Sequence, residues 1–138
     1  MPSEQDHLGL ANHNQETIDY LCQGGDRFPD WVTTVAFYRA IHLIDAMFAH
    51  QDIHPPDHKT RGEYLKRDNR YKAVYSHYSA LREASGIARY LREDAGGRSF
   101  KTFKDYAMME RVKSHFLGHA LRHLELSISN LGPAKKTS

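Results

Sequence analysis

The sequence predicts an all-α protein: one antiparallel four-helix bundle, with a short extra helix between the second and third long helices. Three observations carry that expectation. Apolar residues recur at helical spacings through most of the chain, whereas no segment alternates apolar and polar residues between turn signals as a half-buried strand does. The helical stretches are bracketed by capping signals. The connections are short except for one histidine-rich corner, as in an up-down bundle. With 138 residues the chain fits one domain over residues 1–132, with 133–138 as a flexible tail.

Each element has its own punctuation. Ser3-Glu4-Gln5-Asp6 has the form of a capping box, in which the acid at the third helical position answers the N-cap hydroxyl. That helix is expected to reach about Gln23, where Gly24-Gly25 supplies a C-cap. Pro29-Asp30 opens the second helix, because proline fits a first turn and aspartate suits the helix dipole; it should end near Gln51. His54 precedes Pro55-Pro56 and is pushed out of helical geometry. A short helix near residues 57–66 follows. Asp68 caps a third long helix running to about Glu93, before Ala95-Gly96-Gly97. Thr102-Phe103-Lys104-Asp105, a second capping box, opens a fourth helix that ends near Leu131 at Gly132-Pro133.

Composition narrows the function classes. The chain is 40% hydrophobic and 26% charged, with a formal charge of +2, so no general basic field argues for nucleic acid. Ten histidines make that charge grow in mild acid. The lone cysteine, Cys22, excludes an intrachain disulfide and a cysteine-rich zinc module, and reads as an inert thiol. No apolar run near the N-terminus suggests a secretory signal, and no stretch was expected to span a bilayer. A cytoplasmic protein is the expectation.

Polar residues in apolar surroundings mark the candidate sites. The second helix is apolar almost all round, yet Arg39, His42 and Asp45 recur every three residues along it, and buried polar groups require partners. The third helix has a core stripe of Ala73, Val74, Ala80, Leu81, Ala84, Ile87, Ala88 and Leu91. Beside it runs a ridge of Tyr71, Tyr75, Tyr78, Arg82, Ser85 and Arg89. Interleaved tyrosine and arginine can stack on bases and clamp phosphates, or form a protein interface. Gly86 within this helix implies close approach of a neighbour. If the two polar rows face each other, Arg89 comes close to His42 or Asp45 and shares one anion-binding cavity with Arg39. In the corner, His54 and His58 flank the two prolines, and Arg61 follows one turn later. On the fourth helix, Met109, Val112, Phe116, Ala120, Leu124 and Leu131 face the core. His115, His119 and His123 lie one row aside and read as a solvated, titratable face. There is no HExxH and no Glu-x-x-His repeat, and no metal site or cofactor is predicted.

Residues 28–61, FPDWVTTVAFYRAIHLIDAMFAHQDIHPPDHKTR, followed by residues 75–91, YSHYSALREASGIARYL, resemble the small stand-alone bacterial members of the HEPN domain family. The shared features are the "PDW" helix start, the aromatic-then-histidine second helix, the "IHP…H…R" corner and the "S…ARY" end of the third helix. The resemblance implies a small helical bundle that forms a homodimer. Many such proteins are metal-independent RNases using an Arg-x4–6-His motif, in which arginine holds the scissile phosphate and histidine moves a proton. Arg70 and His77, with six residues between them, fit that spacing and are the candidate catalytic pair; Arg111 and His115 are one residue too close. Other members are non-catalytic binding modules, and that is the preferred expectation: a module for a nucleotide or RNA phosphate, or for a partner such as a nucleotidyltransferase-like antitoxin. Its candidate binding residues are Arg39, His42, Asp45, His54, His58, Arg61, Tyr78, Ser85 and Arg89.

Overall fold

The computed structural model describes the backbone of residues 1–136 and the side chains of residues 1–131. The order is α1 (Glu4–Cys22), α2 (Pro29–Ala49), α3 (His58–Arg67), a 3-10 turn (Asn69–Tyr71), α4 (Lys72–Tyr90), α5 (Phe103–Tyr106), α6 (Met109–Arg111), a π-helical stretch (Val112–Leu121) and α7 (Arg122–Lys136). No strand occurs among the described residues. The all-helical bundle is as expected.

Cross-helix contacts set the directions. Glu4 meets His50, and His7 meets His42, so α1 and α2 run antiparallel. Gln51, just past the end of α2, bonds Tyr71, just before α4, while Tyr38 in the middle of α2 bonds Arg89 near the end of α4. The long C-terminal helix reverses again: His119 and His123 lie against His77 of α4, and Leu131 farther on shares a cavity with Arg70 and Tyr71 ahead of α4. α2 is central: Val32, Ala36, Phe37, Ala40, Ile44 and Phe48 are all essentially inaccessible. By length and composition alone α2 would also pass as a membrane span, contrary to the sequence expectation, but 72% of its apolar window is buried in the bundle.

Both capping boxes form, Ser3 with Asp6 and Thr102 with Asp105. Asp57 caps α3 by accepting from the Thr60 amide at 2.7 Å. The fourth long helix departs from expectation. α5 is a single turn, and Ala107 and Met108 are extended, because Phe103, Ala107 and Met109 are all drawn into the core. Val112, Phe116, Ala120 and Leu124 then recur every four residues, a row that drifts by about 40° per step in an α-helix. The wider π turn keeps this row and Leu121 on the buried side. A Cβ on Gly118 would lie 3.0 Å from the Lys113 carbonyl oxygen, so the bare glycine suits that turn.

α4 stops at Tyr90, earlier than expected, because Leu91 adopts a left-handed C-cap with φ 50°. This turns Arg92 back over Gly86, whose missing Cβ would lie 3.4 Å from the Arg92 Cδ; the neighbour inferred from Gly86 is this side chain. Ala73 and Leu91 are exposed rather than core. Tyr71, Tyr78 and Ser85 of the expected surface ridge are buried instead, because α3 and α2 cover that flank of α4. α7 continues through Gly132 and Pro133 to Lys136. The expected tail, residues 133–138, is therefore helical up to residue 136, and residues 137–138 lie outside the described residues.

Candidate anion-binding site at the α2–α3–α4 corner

The polar row on α2 does not share one cavity. Residues three apart on a helix turn by about 60°, so Arg39 and Asp45 face directions about 120° apart. Arg39 points toward α1 and α7, donating to the Ala11 carbonyl at 2.7 Å and to Glu125 at 3.1 Å; its buried Nε has no partner among the described residues. His42 faces α1, where its Nδ1 lies 3.1 Å from the Nδ1 of His7. Burial, then His7, holds the His42 pKa below the ordinary histidine value. One ring must donate through its Nδ1–H and the other accept through its Nδ1 lone pair, so the two rings cannot both be protonated while this bond is made.

Asp45 alone turns to the corner. Its two oxygens accept from Nε and Nη2 of Arg61, both at 2.8 Å, in a bidentate fork that is almost completely buried. Arg61 also donates through Nη1 to His58 Nδ1 at 2.8 Å. A guanidinium cannot accept a hydrogen bond, so Nδ1 is the unprotonated nitrogen and the proton sits on Nε2. The His58 ring packs 5.6 Å from Phe37, and the Tyr78 hydroxyl, held beneath it, donates to the His58 carbonyl at 3.4 Å. Burial first, then the charges of Arg61, Arg82 and Arg89, keeps the His58 pKa below its usual range, with Asp45 acting in the opposite sense.

Arg89 completes the corner, but not as expected. Its Nε donates to the Ser85 hydroxyl at 3.0 Å and its Nη1 to the Tyr38 hydroxyl at 3.1 Å. The guanidinium lies 5.6 Å from the Tyr38 ring centre and 5.0 Å from that of Tyr90. It therefore meets neither His42 nor Asp45, and the cavity shared by Arg39 and Arg89 does not form. Among the described residues neither Arg82 nor Arg89 makes an ion pair. Since Arg61 occupies the Asp45 carboxylate, the Arg89 guanidinium remains without an ion pair among the described residues beside the His58 imidazole, with the charge of Arg82 acting on that ring from a hollow it shares with Glu83 and Glu93. A site with that balance calls for an anion.

The other predicted residues lie elsewhere. His54 bonds exposed Asp52 at 3.1 Å, at the turn where Asp52 takes φ 58°. Arg70 is folded onto Asp68 through Nε and Nη2, at 3.0 and 2.7 Å, whereas His77 rests against His119 and His123. No contact joins Arg70 to His77 among the described residues, so the structure does not assemble the candidate catalytic pair. A cavity of about 500 Å³ lies between α1, α2 and α7, with Leu8, Leu43, Met47 and Ile128 in its walls. Of the predicted site residues it contains only Arg70, and it lies apart from the corner chemistry. Cys22 is half-buried, and burial raises its thiol pKa, as an inert cysteine requires.

Tyr38 was missed in the sequence. Its signal was the spacing of seven from Trp31 along an otherwise apolar helix, which places both aromatics on the exposed side. No protein-family model, curated protein or solved structure matches this chain.

Proposed function

We propose that this chain is a HEPN-like, non-catalytic binding module that recognises a phosphate of RNA or of a nucleotide at the α2–α3–α4 corner. The observation that carries the reading is the state of Arg89: shelved on Tyr38 and Tyr90, oriented by Ser85, and paired with no carboxylate among the described residues. Arg82 and Arg89 supply the charge, and His58 offers a neutral Nε2–H donor. The exposed rings of Tyr38 and Tyr90 offer faces for bases, an arrangement suited to single-stranded nucleic acid.

The His58 tautomer favours binding over catalysis. Arg61 occupies Nδ1 and the proton sits on Nε2, so His58 has no open lone pair with which to take a proton from a ribose hydroxyl. Arg61 and Asp45 serve to position that ring.

The test is fluorescence anisotropy with a labelled single-stranded RNA over a salt series. Binding should weaken with salt, and Arg89→Ala and Arg82→Ala should each reduce the salt slope by about one phosphate contact's worth, with helical circular dichroism intact. Binding that ignores both substitutions rejects the corner. Binding to a protein partner alone, with no RNA or nucleotide affinity, rejects the ligand class.

A further inference from the structure

The histidine row of the C-terminal helix has a fourth member from α4. His77 projects from α4 onto that row, with ring centres 5.4 Å from His119 and 5.8 Å from His123, while His119 and His123 lie 4.5 Å apart. His115 stacks on His119 at 6.0 Å but makes no contact with His77 among the described residues. No carboxylate is among the groups acting on His77: burial, then His119 and His123, lowers its pKa. These are not histidine–acid pairs of the ordinary structural kind. Three imidazoles meet one another at a solvent-reachable seam.

We propose that His77, His119 and His123 form an open site for a borderline divalent transition metal, with Zn²⁺ the natural occupant. Metal–nitrogen bonds of about 2.0–2.1 Å at tetrahedral angles put imidazole centres about 5 Å apart, and the observed spacings bracket that value. As placed, no group of three or more such side chains among the described residues is positioned to hold a metal ion, so the site forms only once the rings rotate about their side-chain bonds. Part of the outer shell exists without metal. The Nδ1–H of His123 donates to the His119 carbonyl at 2.7 Å, which fixes the tautomer and leaves Nε2 with a free lone pair. The rings of His77 and His119 make no hydrogen bond among the described residues, so neither must break one to bind. The π stretch carries His119 at its edge, and π turns frequently occur at functional sites. An all-imidazole set suits Zn²⁺, Ni²⁺ or Cu²⁺ rather than Mg²⁺ or Ca²⁺, and three protein ligands leave one position for water. The position of His77 is what the sequence spacing alone did not reveal.

Calorimetric titration of Zn²⁺ into the chelator-treated full chain, at about pH 7.5 so that protons compete little for imidazole nitrogens, tests this. One equivalent should bind with micromolar or tighter affinity, and Co²⁺ should give the visible absorption of a tetrahedral centre. His77→Ala, His77→Gln and His123→Ala should each weaken Zn²⁺ binding by about tenfold or more, a loss of about 1.4 kcal/mol. His115→Ala and His54→Ala should leave it within about threefold of the parent, about 0.65 kcal/mol. Circular dichroism on each variant separates lost ligands from lost fold, and the glutamine variant keeps the side-chain bulk. No uptake by the parent chain overturns the proposal. So does uptake indifferent to both His77 variants, which leaves an adventitious metal on the His119/His123 pair only.

Discussion

Removing the Asp45 carboxylate should be among the most damaging single changes outside the apolar core. Arg61 and Asp45 side chains are only 7% and 10% exposed, and both ends of the fork are made at 2.8 Å. Asp45→Ala leaves a buried guanidinium with no counter-charge, a loss of about 3–5 kcal/mol. Total stabilities run to about 5–15 kcal/mol, so about a fifth or more of the margin is at stake. For 138 residues the unfolding entropy near the midpoint is about 0.3 kcal/mol per degree, and the melting temperature should fall by about 10–17 °C. Asp45→Asn keeps the shape and one acceptor and belongs at the lower end of that range. The double variant Asp45→Leu/Arg61→Met replaces the pair with apolar bulk and should recover to within about 1 kcal/mol of the parent. The assay is thermal unfolding followed by circular dichroism at neutral pH. A drop below about 3 °C for Asp45→Ala, equivalent to about 1 kcal/mol, refutes the reasoning, since it means that water already reaches the pair.

Acid should weaken the fold before most carboxylates titrate. Burial leads the lowering of the His42, His58 and His77 pKa values below 6.5, so the native chain holds these rings neutral while the unfolded chain takes up protons. Stability is then full above about pH 6.5 and falls as pH drops toward the lowered native values. Urea midpoints should be lower at about pH 5 than at about pH 7.5, with a shallower decline in His42→Gln; equal midpoints would contradict neutral burial. Separately, we propose that exposed Trp31, which the corner does not use, packs in a homodimer. Light scattering should then give twice the 15.9 kDa chain mass at high micromolar concentration, and a clean monomer removes the dimer from the reading.

The parts of the fold governed by local chemistry were legible in the sequence. Ser3 and Thr102 announced their helix starts through side chains that act within a few residues. The corner pairing of His58 with Arg61 was likewise a matter of one helical turn. What escaped depended on rotation or on partners far along the chain. Arg39, His42 and Asp45 read as one row, but two steps of about 60° sent them to different neighbours. The burial of Tyr71, Tyr78 and Ser85 depended on where α3 would lie, which periodicity within α4 cannot encode. The break at Ala107 and the π stretch arose because core demands on Phe103, Met109 and Phe116 outweighed a sound capping signal at Thr102.

The π stretch also acts as a phase setting for all that follows it. An i→i+5 turn carries one residue more than an α turn, so each such turn delays the rotation of the chain beyond it. His123 reaches His77, and Glu125 reaches Arg39 on another flank, through the same accumulated delay. Losing one residue between positions 112 and 121 while the same π turns remain would rotate the distal half by about 100°, taking both residues off their partners together. The length of this segment therefore holds in common two contacts that share no atom.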